Sequence, residues 1–235
     1  IANIVVNGKK LLFDGVIASA DYHHVEQKLL EKPFRNYSIE YWQSREMSPS
    51  SLLFYVGVDK RLNNLQHHNL FFDADFDQHA KEIYDNPKWP KNPLFYLSCP
   101  SITDPSLAPK GNENLMFLIP LAPGLEDTNE MREKYFDIVL KRLRDLTGND
   151  IEKNIIFKKS YCVNDFEKDY NSFKGNAYGL ANTLRQTAVL KPRMRNKKIK
   201  NLYYTGQLTV PGPGVPPSII SGQIAAIEID TYLNK

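Results

Sequence analysis

Apolar and polar positions change period several times along this 235-residue chain, and each change marks an element. The opening IANIVVNGKKLLFDGVIASA reads as a hairpin followed by a buried strand over residues 1–20, because Asn7 and Gly8 tolerate positive φ between two β-prone runs. In ADYHHVEQKLL, residues 20–30, the spacing turns helical, with Asp21 as N-cap and Tyr22, Val25 and Leu29 on one face. Four apolar runs then predict strands: SLLFYVGVD at 51–59, LFYLSCPS at 94–101, NLMFLIPLA at 114–122 and NIIFKKSY at 154–161. Turn chemistry between them implies a sheet that is at least partly antiparallel. Between the last two, a helix from Asp127 to Leu146 carries an apolar stripe of Met131, Tyr135, Ile138, Val139 and Leu146. Asp127 and Glu130 fit a capping box, and Gly148 fits the C-terminal stop.

Near the end, IKNLYYTG at 199–206 reads as a strand and SIISGQIAAIEIDTYLN as a helix that Ser221, Gly222, Ala225 and Ala226 keep thin on one side. The intervening VPGPGVPP admits two readings. As a rigid connector, its prolines fix φ and its glycines permit φ > 0. As a cofactor loop, the same residues bring bare backbone and the free N–H groups of a helix N-terminus against a partly negative atom. It is not a Rossmann fingerprint, since no full G-x-G-x-x-G occurs in the chain, and a dinucleotide's pyrophosphate site would lie outside this sequence.

Composition narrows the function classes. A hydrophobic fraction of 42%, a charged fraction of 24% and no apolar run of about 18 residues argue against a membrane-spanning helix. A net charge of +3 gives no case for nucleic acid. Its basic residues are uneven, with Lys191, Arg193, Arg195, Lys197, Lys198 and Lys200 in LKPRMRNKKIK, a solvated connector or a surface for anionic lipid headgroups. Cys99 and Cys162 match no metal or redox spacing and point to a reducing, cytosolic setting. The neighbouring histidines His23-His24 and His67-His68 point in different directions, His79 stands apart, and no metal site is expected. A G-x-S-x-G elbow is missing, so hydrolase chemistry has no support. The chain opens on Ile1 with strand-like sequence and no signal pattern, as if it began mid-fold.

Three separated stretches carry a resemblance: DGVIASADYHHVEQKLL, PSITDPSLAPKGNENLMFLIPLAPG and NLYYTGQLTVPGPGVPPSIISGQIAA. Together, in that order, they resemble the bacterial carotenoid desaturases of the phytoene-desaturase type, and the chain is similar to their C-terminal half. The resemblance implies an α/β fold, part of a glutathione-reductase-type FAD/NAD(P)-binding fold, with a substrate domain of α+β character built on a mixed or antiparallel sheet. It assigns residues 1–20 to an FAD-domain strand, 21–195 to the substrate domain and 196–235 to the flavin-facing return of the FAD domain. It nominates Gly206, Gln207, Pro211, Gly212, Gly214, Val215 and Pro216 for FAD binding, although relatives often carry an acid where Gln207 stands. No catalytic residue is nominated. The implied activity is FAD-dependent desaturation of an acyclic C30-type carotenoid precursor such as dehydrosqualene, by a cytoplasmic protein peripheral to the inner face of the cell membrane. Its partners would be the hydrophobic polyene and the membrane surface. Alternatives are a non-catalytic fragment that binds lipid or a partner, a carotenoid isomerase, or an amine oxidase.

Overall fold

The computed structural model describes residues 3–234. In chain order the elements are β1 (Ile4–Val6), β2 (Lys9–Leu11), β3 (Val16–Ala18), α1 (Tyr22–His24), α2 (Ile39–Gln43), β4 (Ser50–Val58), β5 (His68–Phe71), α3 (Phe76–Tyr84), β6 (Phe95–Ser98), β7 (Glu113–Leu121), α4 (Asn129–Thr147), β8 (Ile155–Tyr161), α5 (Val163–Tyr170), β9 (Leu202–Tyr204) and α6 (Val215–Leu233). They pack as two compact units, Ile1–Ser48 with Glu167–Lys235, and Pro49–Phe166. These boundaries fall inside the 21–195 segment expected as one domain. Residues 21–48 and 167–195 pack with the first unit because Tyr22, Trp42 and Leu180 share a core with Leu202 and Tyr204.

In the first unit, β1 and β2 form the expected hairpin, with Asn7 at φ 50° and Gly8 at φ 77°. Residues 1 and 2 of that predicted hairpin lie outside the described residues. The strand after it is shorter and less buried than expected: Leu12 is 80% exposed, and pairing resumes only at β3, which runs parallel to β9 from Val16↔Leu202 to Ala18↔Tyr204. Asp21 caps α1, its carboxylate accepting from the His24 N–H at 2.9 Å. The helix continues as a π-turn over Val25–Leu29, closed by Leu30 N–H to Val25 carbonyl at 3.1 Å. That wider turn takes Leu29 off the apolar face, where it is 65% exposed. Beneath it the Tyr22 and Tyr204 rings stack 3.8 Å apart. Buried Glu26 accepts from Asn36 N–H at 2.6 Å, Tyr37 N–H at 3.1 Å and Tyr204 Oη at 3.1 Å. Helix α6 packs against both β3 and β9, with Ser221 and Ala225 fully buried. Ser221 and Ala225 allow that approach, as the sequence pattern predicts, whereas Ala226 of the same expected thin side is exposed.

The second unit is a five-stranded antiparallel sheet in the order β5-β6-β7-β4-β8. Strand period fixes its two faces. Leu52, Phe54, Val56 and Val58 of β4 and Leu115, Phe117, Ile119 and Leu121 of β7 are buried, and α4 lays Tyr135, Phe136, Val139 and Leu143 into the same core. The other face carries Leu53, Tyr55, Leu70, Met116, Leu118 and Phe157, all partly or largely exposed. Two expectations shift. The N-cap of α4 is Thr128, accepting from Met131 N–H at 3.3 Å, while Asp127 grips Arg132 at 2.6 and 2.7 Å. Phe136 and Leu143, not Leu146, complete the apolar stripe, since Leu146 is 51% exposed.

Candidate functional site

The loop between β9 and α6 is held from its helix side. Buried Ser221 Oγ accepts from Gly206 N–H at 2.8 Å, lies 2.6 Å from Thr205 Oγ1 and donates to the Ser218 carbonyl at 2.6 Å. Thr209 closes the next turn, its N–H and Oγ1 both reaching the Gly206 carbonyl, at 3.0 and 2.8 Å. Gly206 adopts φ 103° and its bare side opens on free space. The Val210–Pro211 peptide is cis, and Gly212 and Gly214 adopt φ 135° and 106°, conformations that disfavour any side chain.

Gly214 is the N-cap of α6 and no side chain caps the helix. Of the first-turn groups that a helix leaves without an internal partner, Pro216 and Pro217 have no N–H. Only Gly214 and Val215 retain donors there, at the positive end of a 19-residue helix. Both line an open cleft of about 440 Å³ with Ala177, Tyr178, Gln207, Ser218 and Ile219. Gln207 is fixed from behind, its Nε2 donating to Asn176 Oδ1 at 3.3 Å. The same oxygen accepts from Gly179 N–H at 2.6 Å. Gly179 is required there, because a Cβ would meet the Gln207 carbonyl oxygen at 2.7 Å.

The structure therefore brings Gln207, Gly214 and Val215 to one cleft, with Gly206 at the strand end that leads into it. Pro211, Gly212 and Pro216 shape the loop without lining the cleft. The bare side of Gly212 is covered by Lys191: a methyl added to Gly212 would lie 3.0 Å from Lys191 Cε and 3.3 Å from Nζ. Lys191 was expected in the solvated basic run, yet it is 3% exposed and its Nζ has no hydrogen-bond partner. Burial holds its pKa below the usual lysine range. Arg193, Arg195, Lys197, Lys198 and Lys200 are exposed as expected. Sequence reasoning also missed Asn176 and Gly179, whose pairing with Gln207 crosses some 30 residues and leaves no local pattern.

Residues 2–230 match the family of flavin-containing amine oxidoreductases. The chain belongs to this family. It is 44% identical over 221 residues to a carotenoid 3,4-desaturase of Haloarcula japonica, covering 94% of this chain and 45% of that protein. It is 35% identical over 230 residues to a 4,4'-diapophytoene desaturase (4,4'-diaponeurosporene-forming) of Staphylococcus haemolyticus, covering 94% of this chain and 46% of the relative. A 4,4'-diapolycopen-4-al dehydrogenase of Metabacillus indicus is 30% identical over 217 residues, covering 92% of this chain and 42% of the relative. The chain thus spans about half the length of the curated relatives it matches. A crystal structure of an oxidoreductase from Methanosarcina mazei superposes with a TM-score of 0.59 at 13% identity, over 96% of this chain and 46% of that one, and shares the fold.

The residues present suit the family's flavin. Bare glycine backbone, two N–H donors at a helix N-terminus and an orphaned ammonium beside the loop make an environment that favours an electron-rich ring edge.

Proposed function

We propose that the protein carrying this chain is an FAD-dependent carotenoid desaturase, removing hydrogen across carbon–carbon single bonds of an acyclic polyene precursor of the dehydrosqualene (4,4'-diapophytoene) type. The observation that supports this reading most is the β9–α6 loop. It presents Gln207, Gly214 and Val215 at one cleft, with Gly206 at the strand end that leads into it, in a chain whose relatives carry desaturase names.

A bound flavin supplies the electron acceptor that no side chain can provide. In this reading the Gly214 and Val215 N–H groups and the α6 dipole favour negative charge on the ring, an effect worth about 0.3–1 kcal/mol at an exposed helix end and more where water is excluded. Gln207, held by Asn176, would offer its amide oxygen to the ring or its ribityl chain. Ile219 and Tyr178 give the cleft an apolar rim. Leu53, Tyr55, Leu118 and Phe157, on an open face of the five-stranded sheet that also carries Lys159, Ser98 and His68, offer apolar area of the kind a long hydrocarbon needs, since each CH₂ taken from water contributes about 0.8 kcal/mol. In this reading residues 1–20 and 196–235 belong to the FAD side. The exposed basic run would face the lipid in which such a substrate resides, placing the protein at the inner surface of the cell membrane.

The test is direct. The flavin-loaded protein, incubated with dehydrosqualene in liposomes, is expected to give visible absorption bands that move to longer wavelength as conjugation extends. Consumption of no polyene and no new bands would overturn the reading.

A further inference from the structure

Lys191 is the one basic residue of its run that is withdrawn from water, and its ammonium has neither a hydrogen-bond partner nor an acid to offset it among the described residues. Enclosing an unpaired cation is costly, and a methionine would fill the same space without that cost. The loop is nevertheless shaped around it: Gly212, at φ 135°, has no side chain where Lys191 Cε and Nζ pass. Two residues further on, Gly214 begins α6 with its free N–H groups on the cleft.

We propose that Lys191 is a positioning residue for the cofactor's charge: held behind the Pro211–Gly214 loop, its ammonium adds to the α6 N-terminus and stabilises the negative charge that the flavin gains on reduction. This rests on the flavin reading above. The polyene has no charge or acceptor for an ammonium to serve. The flavin is the group at the cleft whose charge changes during the reaction, and an enclosed cation acts on it with little screening. A high flavin potential suits a substrate that gives up hydride from a C–H bond with no heteroatom to assist it.

The experiment uses the flavin-loaded protein as wild type, Lys191→Met, Lys191→Arg and, as a control in the exposed run, Lys197→Met. Sulfite affinity is read from bleaching of the flavin band, and the midpoint potential from equilibration with a reference dye. Lys191→Met is expected to weaken sulfite binding at least tenfold and to move the potential negative by about 30 mV or more, the two-electron equivalent of tenfold. Lys191→Arg retains most of both, and Lys197→Met leaves both within about twofold. Freed of its buried charge, the flavin-free Lys191→Met protein should also melt above wild type, the reverse of what a packing role predicts. Unchanged sulfite affinity and potential in a Lys191→Met protein that still holds flavin would overturn this proposal alone. If Lys191→Met sheds its flavin, Lys191→Arg decides: retention at wild-type sulfite affinity supports the charge role, and loss in both overturns it. A wild-type protein that retains no flavin would overturn both this proposal and the reading beneath it.

Discussion

At the scale of single residues, two titratable side chains at the start of α1 have been moved in opposite senses. Burial pushes the Asp21 carboxyl up to about 6, against hydrogen bonds from the backbone of His24 and Phe173. Burial takes His23 down to about 4, helped by Lys28, His24 and Arg35, and its ring lies 4.0 Å from that of Phe173. A histidine whose folded pKa is depressed binds its proton more readily when unfolded. Its contribution to stability is therefore complete above its unfolded pKa of about 6.5 and is lost as pH falls towards 4. Asp21 works the other way, since the folded form takes up its proton first and gains stability as pH falls through 6. Replacing His23 by Gln isolates the histidine. Between pH 7.5 and 4.5 the variant should lose less urea stability than wild type, by about 1–2 kcal/mol after allowance for solvent screening of a half-buried ring. Parallel pH profiles for the two proteins would sink the assignment. The cap itself was readable, because Asp before a helical period has a local cause. The shifts were not, because Phe173 arrives from some 150 residues away.

At the scale of elements, the predicted strands and the two long helices followed from period, α2, α3 and α5 went unpredicted, and the misplacements have physical causes. Strand β5 went unpredicted because His68 and Asn69 dilute a four-residue run that becomes a strand only by pairing with β6. The cap of α4 slipped by one residue because Asp127 and Thr128 are both good caps, and the choice was made by a partner on the same helix. Arg132 takes Asp127 through two bonds and also reaches Asp165 at 2.8 Å, while Asp127 additionally accepts from the Asn164 N–H at 2.9 Å. Thr128 is left to cap. The order of effects should follow the structure and not the sequence pattern. Thr128→Ala should cost about 1 kcal/mol, as loss of a cap does. Asp127→Ala should cost about 2 kcal/mol or more, because it removes two charge-assisted bonds from a largely buried guanidinium, leaving it Asp165 and Ser160, and frees the Asn164 N–H. Denaturant midpoints check this, and equal costs for the two variants would mean that Asp127 is merely a second cap. The β9–α6 loop shows the same division. Its rigidity and its glycines were legible, whereas the reason for Gly212, a lysine passing behind it, belongs to tertiary structure.

At the scale of the whole molecule, a hydrocarbon substrate requires access to lipid, and among the described residues no helix is long and apolar enough to cross a membrane. The proposed function then raises the question of which surface of this chain would meet a bilayer. Five cations, Arg193, Arg195, Lys197, Lys198 and Lys200, are exposed within eight positions. Arg195 is partly committed, lying over the Tyr203 and Tyr232 rings at 5.5 and 4.9 Å with its Nε on the Lys200 carbonyl at 2.9 Å. Lys197 Nζ likewise lies 5.2 Å over the Tyr37 ring, so the side chains best placed to meet headgroups are Arg193, Lys198 and Lys200. Lys191, though part of the same sequence run, faces inward and should be irrelevant to lipid. Each basic residue near an anionic bilayer contributes about 1 kcal/mol, and the attraction fades with salt. Reversing Arg193, Lys198 and Lys200 to Glu should therefore lower partitioning onto phosphatidylserine vesicles by a hundredfold or more at low salt. Partitioning onto phosphatidylcholine should change little, and Lys191→Met should partition like wild type. Undiminished flotation of the triple variant with anionic vesicles would remove the basic run from the membrane contact and leave exposed apolar side chains, such as Leu12 and Phe13 after the first hairpin, as the surface to test in its place.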